Sequence, residues 1–310
     1  MNPSDHPMFG SYRRIFERFE VAEQFRTWAM NPLHPENGSL FERDLDTIPP
    51  SPAFYLQNEV ALFPTMTSAL DPLLALSKLL FTRETWENAT ITGARLQTDL
   101  VSVMALSRLP IECAAKTVWL LGPDDADERA GRFLVLQAKD LSFRRKYLGY
   151  VAELHAGKPL GQFAKGDHRT TVEICKKVDA QVRERFGNQR TIGDSNIVTE
   201  AAQWIAAHPL AHPGALQLDE NSAMAMYALN SGFVHGYSWV SDILRALPYE
   251  APEAPIIRAV ADNLAACLIF VECAVALYEA HRRAPGNLAP GTCPEYLIPS
   301  VERYSSDRQR

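Results

Sequence analysis

The chain is poor in the features by which a sequence most readily declares its chemistry. Its five cysteines (Cys113, Cys175, Cys267, Cys273 and Cys293) are odd in number and scattered, with no C-x-x-C pair. This argues against a disulfide framework or zinc ribbon and fits a reduced, cytoplasmic compartment, with three of the thiols in helical apolar surroundings as small buried hydrophobes. No apolar run approaches the ~20 residues needed to span a bilayer. The longest, 264–277, has 14 residues and contains Glu272, so it predicts a core helix and no membrane association. Residues 12–28 are studded with Arg and Glu and lack the apolar segment of a secretory signal. There is no Walker loop, nucleophile elbow or dinucleotide fingerprint, so no cofactor is expected. Nor does any His have a Glu three residues earlier, as diiron bundles require. His208 and His212 have zinc-pair spacing, but Pro209 and Pro213 interrupt the helix that would present them, so no metal is expected. A net charge of −6 argues against a protein that coats nucleic acid. The basic runs at 144–146 and 282–283 read as solvated helix faces.

What the chain does have is helical periodicity. With 46% hydrophobic residues it can bury a sizeable core. Nowhere do apolar residues alternate with period two over the length of a strand, and no internal repeat appears; the spacing predicts an all-α helical bundle of long antiparallel helices. Tyr12, Ile15, Phe16, Phe19, Phe25 and Trp28 form an amphipathic N-terminal arm, whose apolar face needs a surface and makes a homodimer plausible. Residues 31–53, rich in Pro, read as an irregular connection. The bundle then spans 54–284, and the Pro- and Gly-rich segment 285–310 reads as a loosely ordered tail.

Within the bundle, a helix is expected over 70–81, with Pro72 in its first turn. The next, 95–121, is bent or restarted by Pro110 near Ser107. In Trp119-Leu-Leu-Gly-Pro-Asp-Asp-Ala-Asp-Glu128, Gly122 can take a left-handed helix end, Pro123 cannot continue a helix, and Asp124 or Asp125 can cap the next one. That next helix, 125–154, carries Phe133, Leu136, Phe143, Tyr147 and Tyr150. A capping box at Thr170-Thr-Val-Glu173 starts a helix ending at Gly187, with a narrow stripe of Cys175, Val178, Val182 and Phe186. Helices over 197–207, 219–247 and 255–281 follow, the last apolar on nearly every face and so central.

Arg108 and Glu112 stand four apart on one helix face. Glu272 sits among Leu268, Ile269, Val271 and Val275, where an unpaired carboxylate is costly. His235 lies in Asn230-Ser-Gly-Phe-Val-His-Gly-Tyr237, with Ser231 beside Asn230. A cluster of Arg108, Glu112, Glu272 and His235 would satisfy these groups and could perturb their ionisation as catalytic sites do. A polar network that only fixes helix register would satisfy them equally.

The segments Arg108-Leu-Pro-Ile-Glu112, Trp119-Leu-Leu-Gly-Pro123 with Arg129, and Tyr227 through His235-Gly236 resemble a group of uncharacterised bacterial all-helical proteins. That group is similar to the HEPN superfamily of helical nucleotide-binding and ribonuclease domains. The resemblance covers roughly 65–155 and 219–283 and implies RNA, a nucleotide or a partner protein as ligand, in a defence or toxin–antitoxin setting. In HEPN ribonucleases an Arg precedes a His by five to seven positions, often with a polar residue nearby, and two such pairs meet across a dimer. There His serves as acid or base and Arg stabilises charge on phosphate. Here His235 matches the His and Asn230 the polar residue, but 228–230 are Ala228, Leu229 and Asn230, with no Arg. The motif is therefore degenerate. A weak metal-independent ribonuclease would need Arg from elsewhere, with Arg108 and Arg129 as candidates and Arg132 as a further basic contact. A helical interaction module without catalysis is the third reading. The acidic run 124–128 also resembles the Asp-Asp-x-x-(Asp/Glu) motif of α-helical terpene synthases, which holds Mg²⁺, but its Asn-x-x-x-(Ser/Thr)-x-x-x-Glu companion is missing and helix capping already accounts for it.

Overall fold

The computed structural model describes residues 18, 24–25, 27–28, 35–47, 63–80, 93–187, 192–212, 217–245, 253–287 and 293–308. The chain is all-α. Its helices are α1 (Leu40–Thr47), α2 (Phe63–Leu80), α3 (Gly93–Leu121), α4 (Ala126–Leu154), α5 (Pro159–Phe186), α6 (Asp194–Ala207), α7 (Glu220–His235), α8 (Ser238–Arg245), α9 (Glu253–Arg282) and α10 (Ile298–Asp307). A 3₁₀ turn, Glu295–Leu297, precedes α10, and no strand occurs among the described residues. In the N-terminal arm, Arg18, Gln24, Phe25, Thr27 and Trp28 are helical, and Phe25 and Trp28 are buried in the main core.

α3 and α9 pack together at the centre, with α2, α6 and α7 against α3 and α10 against α9. Residues 266–283 of α9 and its end are buried without a break, as its unpatterned apolar composition requires. By length and composition the stretch Arg258–Arg282 could cross a membrane, but 89% of its apolar window is buried inside the protein. Burying each Leu, Ile or Val of α2 and α3 contributes roughly 1.5–3 kcal/mol, enough to carry the proline inside each helix. Pro72 lies well inside α2, which starts seven residues earlier than expected, at Phe63. Buried Met66, Ala69, Leu70, Leu73 and Leu76 outweigh the one lost hydrogen bond. α3 likewise runs unbroken through Pro110. There the Ser107 hydroxyl donates to the Val103 carbonyl (2.7 Å), and the Ser107 carbonyl accepts the Cys267 thiol of α9 (3.2 Å).

Several boundaries differ from expectation. Gly122 is not left-handed; a side chain there would meet the Val118 carbonyl at 2.7 Å and the Trp204 ring at 3.0 Å, so close approach is what requires glycine. Asp125 caps α4 as expected, accepting from the Asp127 amide at 2.7 Å. The Thr170 capping box does not form. α5 already begins at Pro159, a favoured first-turn residue, and Glu173 pairs instead with Lys176 at 2.8 Å. The expected helix over 219–247 is divided at Gly236, which is left-handed (φ 62°) and leaves room for Trp239 and Val240 to pack on Gly232. The connection 31–53 contains α1, begun by Ser39-Leu-Phe-Glu42: Ser39 Oγ accepts from the Glu42 amide at 3.2 Å, and Glu42 accepts from the Gly38 amide.

The tail is not loose where it is described. Leu297, Val301 and Tyr304 are buried in the main core, Tyr304 donates to the His208 carbonyl (2.8 Å), and Arg308 reaches the Gly122 carbonyl (2.9 Å). The expected irregularity at 31–34, 48–53 and 288–292 falls outside the described residues.

α4 and α5 form an antiparallel hairpin with a small core of its own, Leu134, Leu141, Cys175, Val178 and Val182. Its tip is tight: a Cβ on Gly161 would lie 2.1 Å from the His155 carbonyl oxygen. The buried face of α4 runs through Leu134, Leu141 and Leu148, so the expected line of Phe143, Tyr147 and Tyr150 lies outside, 61–70% exposed.

Candidate functional site

Three side chains of α3 at successive helical turns, Arg108, Glu112 and Lys116, start a ladder of charges across four helices. Arg108 Nε donates to Glu112 (3.2 Å), and Lys116 lies 3.5 Å from Glu112 and 3.4 Å from Asp194 at the start of α6. Lys139 of α4 closes the ladder on Asp194 at 2.6 Å. At the other end, Arg108 Nη1 stands 3.1 Å from Nε2 of His235, the last residue of α7. The Arg108 guanidinium also lies 5.7 Å from the Tyr227 ring centre. His235 is exposed and Tyr237 lies beside it, the two rings 5.5 Å apart.

The electrostatics follow from the packing. Burial disfavours the Arg108 charge, but Tyr227 and Glu112 outweigh it and raise its pKa above the ordinary value. Burial and then the Glu112 charge push the Tyr227 phenol up. Burial also opposes ionisation of Asp194, yet Lys139 and Lys116 hold its carboxyl below the usual range. A guanidinium has donors only, so at the 3.1 Å contact Arg108 donates and His235 Nε2 accepts. The result is a rigidly held cation beside a solvent-facing imidazole, suited to receiving an anion such as a phosphodiester.

The expected four-residue cluster forms only in part. Arg108, Glu112 and His235 meet; Glu272 does not join them. It is fully buried on α9, where it accepts from Tyr296 (3.0 Å) and faces Arg18 (3.6 Å) and His212 (3.7 Å). Asn230 is also withdrawn from the site: it exchanges amide hydrogen bonds of 2.8 and 3.0 Å with Asn263, both residues fully buried, and so fixes α7 on α9. Ser231 is half-buried next to it.

Arg129 is a strut and not a partner of His235. It makes a fork to Asp44 of α1 (2.5 and 2.7 Å) and donates to the Pro123 and Asp124 carbonyls, both at 2.8 Å. Arg132 is a clamp: it lies 4.8 Å from the centre of the Trp119 ring, donates to the Trp119 carbonyl at 2.6 Å, and pairs with Glu128 and Glu200. The basic run 144–146 is exposed as expected. Arg282 and Arg283 are not: both are buried on Glu279, at 2.7 Å each, and Glu279 also accepts from Trp28. That cluster was visible as Glu279, Arg282 and Arg283 at helical spacing. The Lys116–Asp194–Lys139 end of the ladder had only the 108–112–116 spacing as a sequence signal.

Among the described residues no group of three His, Cys, Asp or Glu side chains could hold a metal ion. All five cysteines are free thiols. Compared with family models, with curated proteins and with solved structures, the chain matches none.

Proposed function

We propose that this is a HEPN-like helical protein with a degenerate catalytic motif, which binds RNA at the surface where Arg108 and His235 meet. One observation carries the reading: residues 127 positions apart bring a guanidinium and an exposed imidazole to 3.1 Å. The buried polar residues cannot supply the same role, since Arg129, Asn230 and Glu272 are engaged inside the fold. The cytoplasmic setting goes with five free thiols, and the defence or toxin–antitoxin context is what the resemblance implies.

The same contact favours a second reading, slow metal-independent cleavage with His235 as base and Arg108 on the phosphate. That chemistry requires Arg108 to leave the imidazole lone pair when RNA arrives. One experiment tests both: fluorescence anisotropy and gel analysis of labelled single-stranded RNA in chelator, at low salt, with wild type, Arg108→Ala and His235→Ala. The reading expects RNA to bind intact and each variant to weaken binding about ten- to a hundredfold, the scale of one charge-assisted contact. Cleavage lost in His235→Ala would support the second reading, whereas equal affinity of all three proteins would overturn both.

A further inference from the structure

The exposed line on the α4–α5 hairpin is too regular to be incidental. Phe143, Tyr147, Tyr150 and Leu154 are 61%, 66%, 70% and 77% exposed, and Leu160 and Phe163 at the start of α5 add 51% and 71%. Aromatic side chains present about 150–250 Å² each, so these six leave on the order of 700 Å² of apolar surface uncovered. Solvent-facing patches beyond ~300–600 Å² mark interaction sites. Each partner in a standard protein interface buries ~800 Å².

We infer that this face is covered by a second copy of the chain, the two α4 helices packing antiparallel about a two-fold axis between residues 147 and 150. The spacing of the stripe, four then three then four, is that of an a/d helix-packing seam. It is also symmetric about its own centre: an antiparallel copy sets Phe143 of one protomer against Leu154 of its partner, and Tyr147 against Tyr150. A two-fold interface demands this reciprocity.

The charges along the outer edge agree. Lys146 and Glu153 flank the seam on the side away from α5, and the same two-fold axis brings Lys146 of one protomer to Glu153 of its partner, twice. Both are exposed, and among the described residues neither has an ion-pair partner within its own chain. Lys146 lies over its own Phe143 ring at 5.5 Å, held at the margin of the seam. On the inner edge Arg144 is tied to Asp167 of α5 at 2.9 Å, which fixes the hairpin register and brings Phe163 level with the middle of the stripe. His235 is not part of this surface, so the inference does not depend on RNA binding.

Sedimentation equilibrium of the full chain tests it. Wild type is expected to have the mass of two chains at about 10 µM, within the range that interfaces of this size reach. Tyr147→Glu with Tyr150→Glu should raise the dimer Kd more than about a hundredfold, because it sets carboxylates against one another at the axis. Lys146→Glu should raise it about tenfold through two lost surface pairs and new repulsion. Adding Glu153→Lys should restore it, and His235→Ala should leave it unchanged. All four substituted stripe and flank side chains are exposed, and unchanged circular dichroism confirms that the monomers fold. A monomeric wild type at every concentration overturns the inference, including one whose stripe binds anionic vesicles or labelled RNA instead. An unrescued Lys146→Glu overturns the two-fold register.

Discussion

Arg129 illustrates how fully a buried guanidinium can be committed to holding a fold. Four of its N–H groups are directed at Asp44 and at two carbonyls of the α3–α4 turn. Arg129→Ala removes the two fork hydrogen bonds from the buried Asp44 carboxylate and the two carbonyl contacts of the turn, which should cost about 3–5 kcal/mol. The expected readout is a lower urea midpoint with an unchanged denaturant slope, and an unchanged midpoint would contradict the strut. His281 carries the pH dependence. It is fully buried, its Nδ1 donates to the Leu277 carbonyl (2.9 Å) and its Nε2 accepts from Arg308. Burial, and then Arg308, hold its pKa well below the ordinary 6.5. The unfolded chain therefore binds a proton that the folded chain does not as pH falls below 6.5. The contribution is complete above that pH and is lost progressively below it. Thermal unfolding at pH 7.5 and 5.5 should show a fall in Tm that His281→Asn reduces, whereas an identical fall in both proteins would reject the assignment.

At the scale of elements, the ends and interruptions of helices decide the architecture. Gly161 is the closest approach in the hairpin tip, where the obstructing atom is a backbone carbonyl that cannot swing aside. Gly161→Ala should cost roughly 1–3 kcal/mol, as overpacking does, and local hydrogen exchange near 152–163 should rise while α3 and α9 stay protected. Deleting residues 294–310 should lower the unfolding midpoint sharply, because it uncovers the part of α9 that Leu297, Val301 and Tyr304 bury. A truncated chain as stable as wild type would restore the loose-tail reading. The all-α class, the α4 cap at Asp125 and the central place of α9 were legible because period and composition report them directly. Pro72 misled because local propensity amounts to a few kcal/mol at most, and the burial of Met66, Ala69, Leu70, Leu73 and Leu76 exceeds it; the Thr170 capping box misled because Pro159 already opens the helix upstream. The arginines misled differently. Spacing shows which residues share a helix face, but not whether that face meets a carboxylate from a distant segment, as Arg129 meets Asp44 and Arg132 meets Glu200. Of the expected site, the Arg108–Glu112 pair was readable from its four-residue separation; its meeting with His235 depended on how α7 lies on α3.

For the whole molecule, the interior polar groups lock helices together while two surfaces remain to act outward: the Arg108–His235 edge and the α4 seam. A two-fold pair joined through the hairpins would carry two such edges, so RNA long enough to reach both should bind more tightly than a short one by effective concentration. That difference should vanish in Tyr147→Glu with Tyr150→Glu, and a length preference retained by this monomeric variant would separate the two surfaces. The central claim is that the Arg108–His235 edge is where RNA lands. The most direct measurement follows the imidazole resonances of histidine-labelled protein during RNA titration, with the His235 signal identified by its loss in His235→Asn. The account predicts that this signal shifts saturably with RNA, while that of buried His281 stays in place and Arg108→Ala weakens the response about ten- to a hundredfold. RNA that binds without moving the His235 signal, or that fails to bind at low salt, contradicts it.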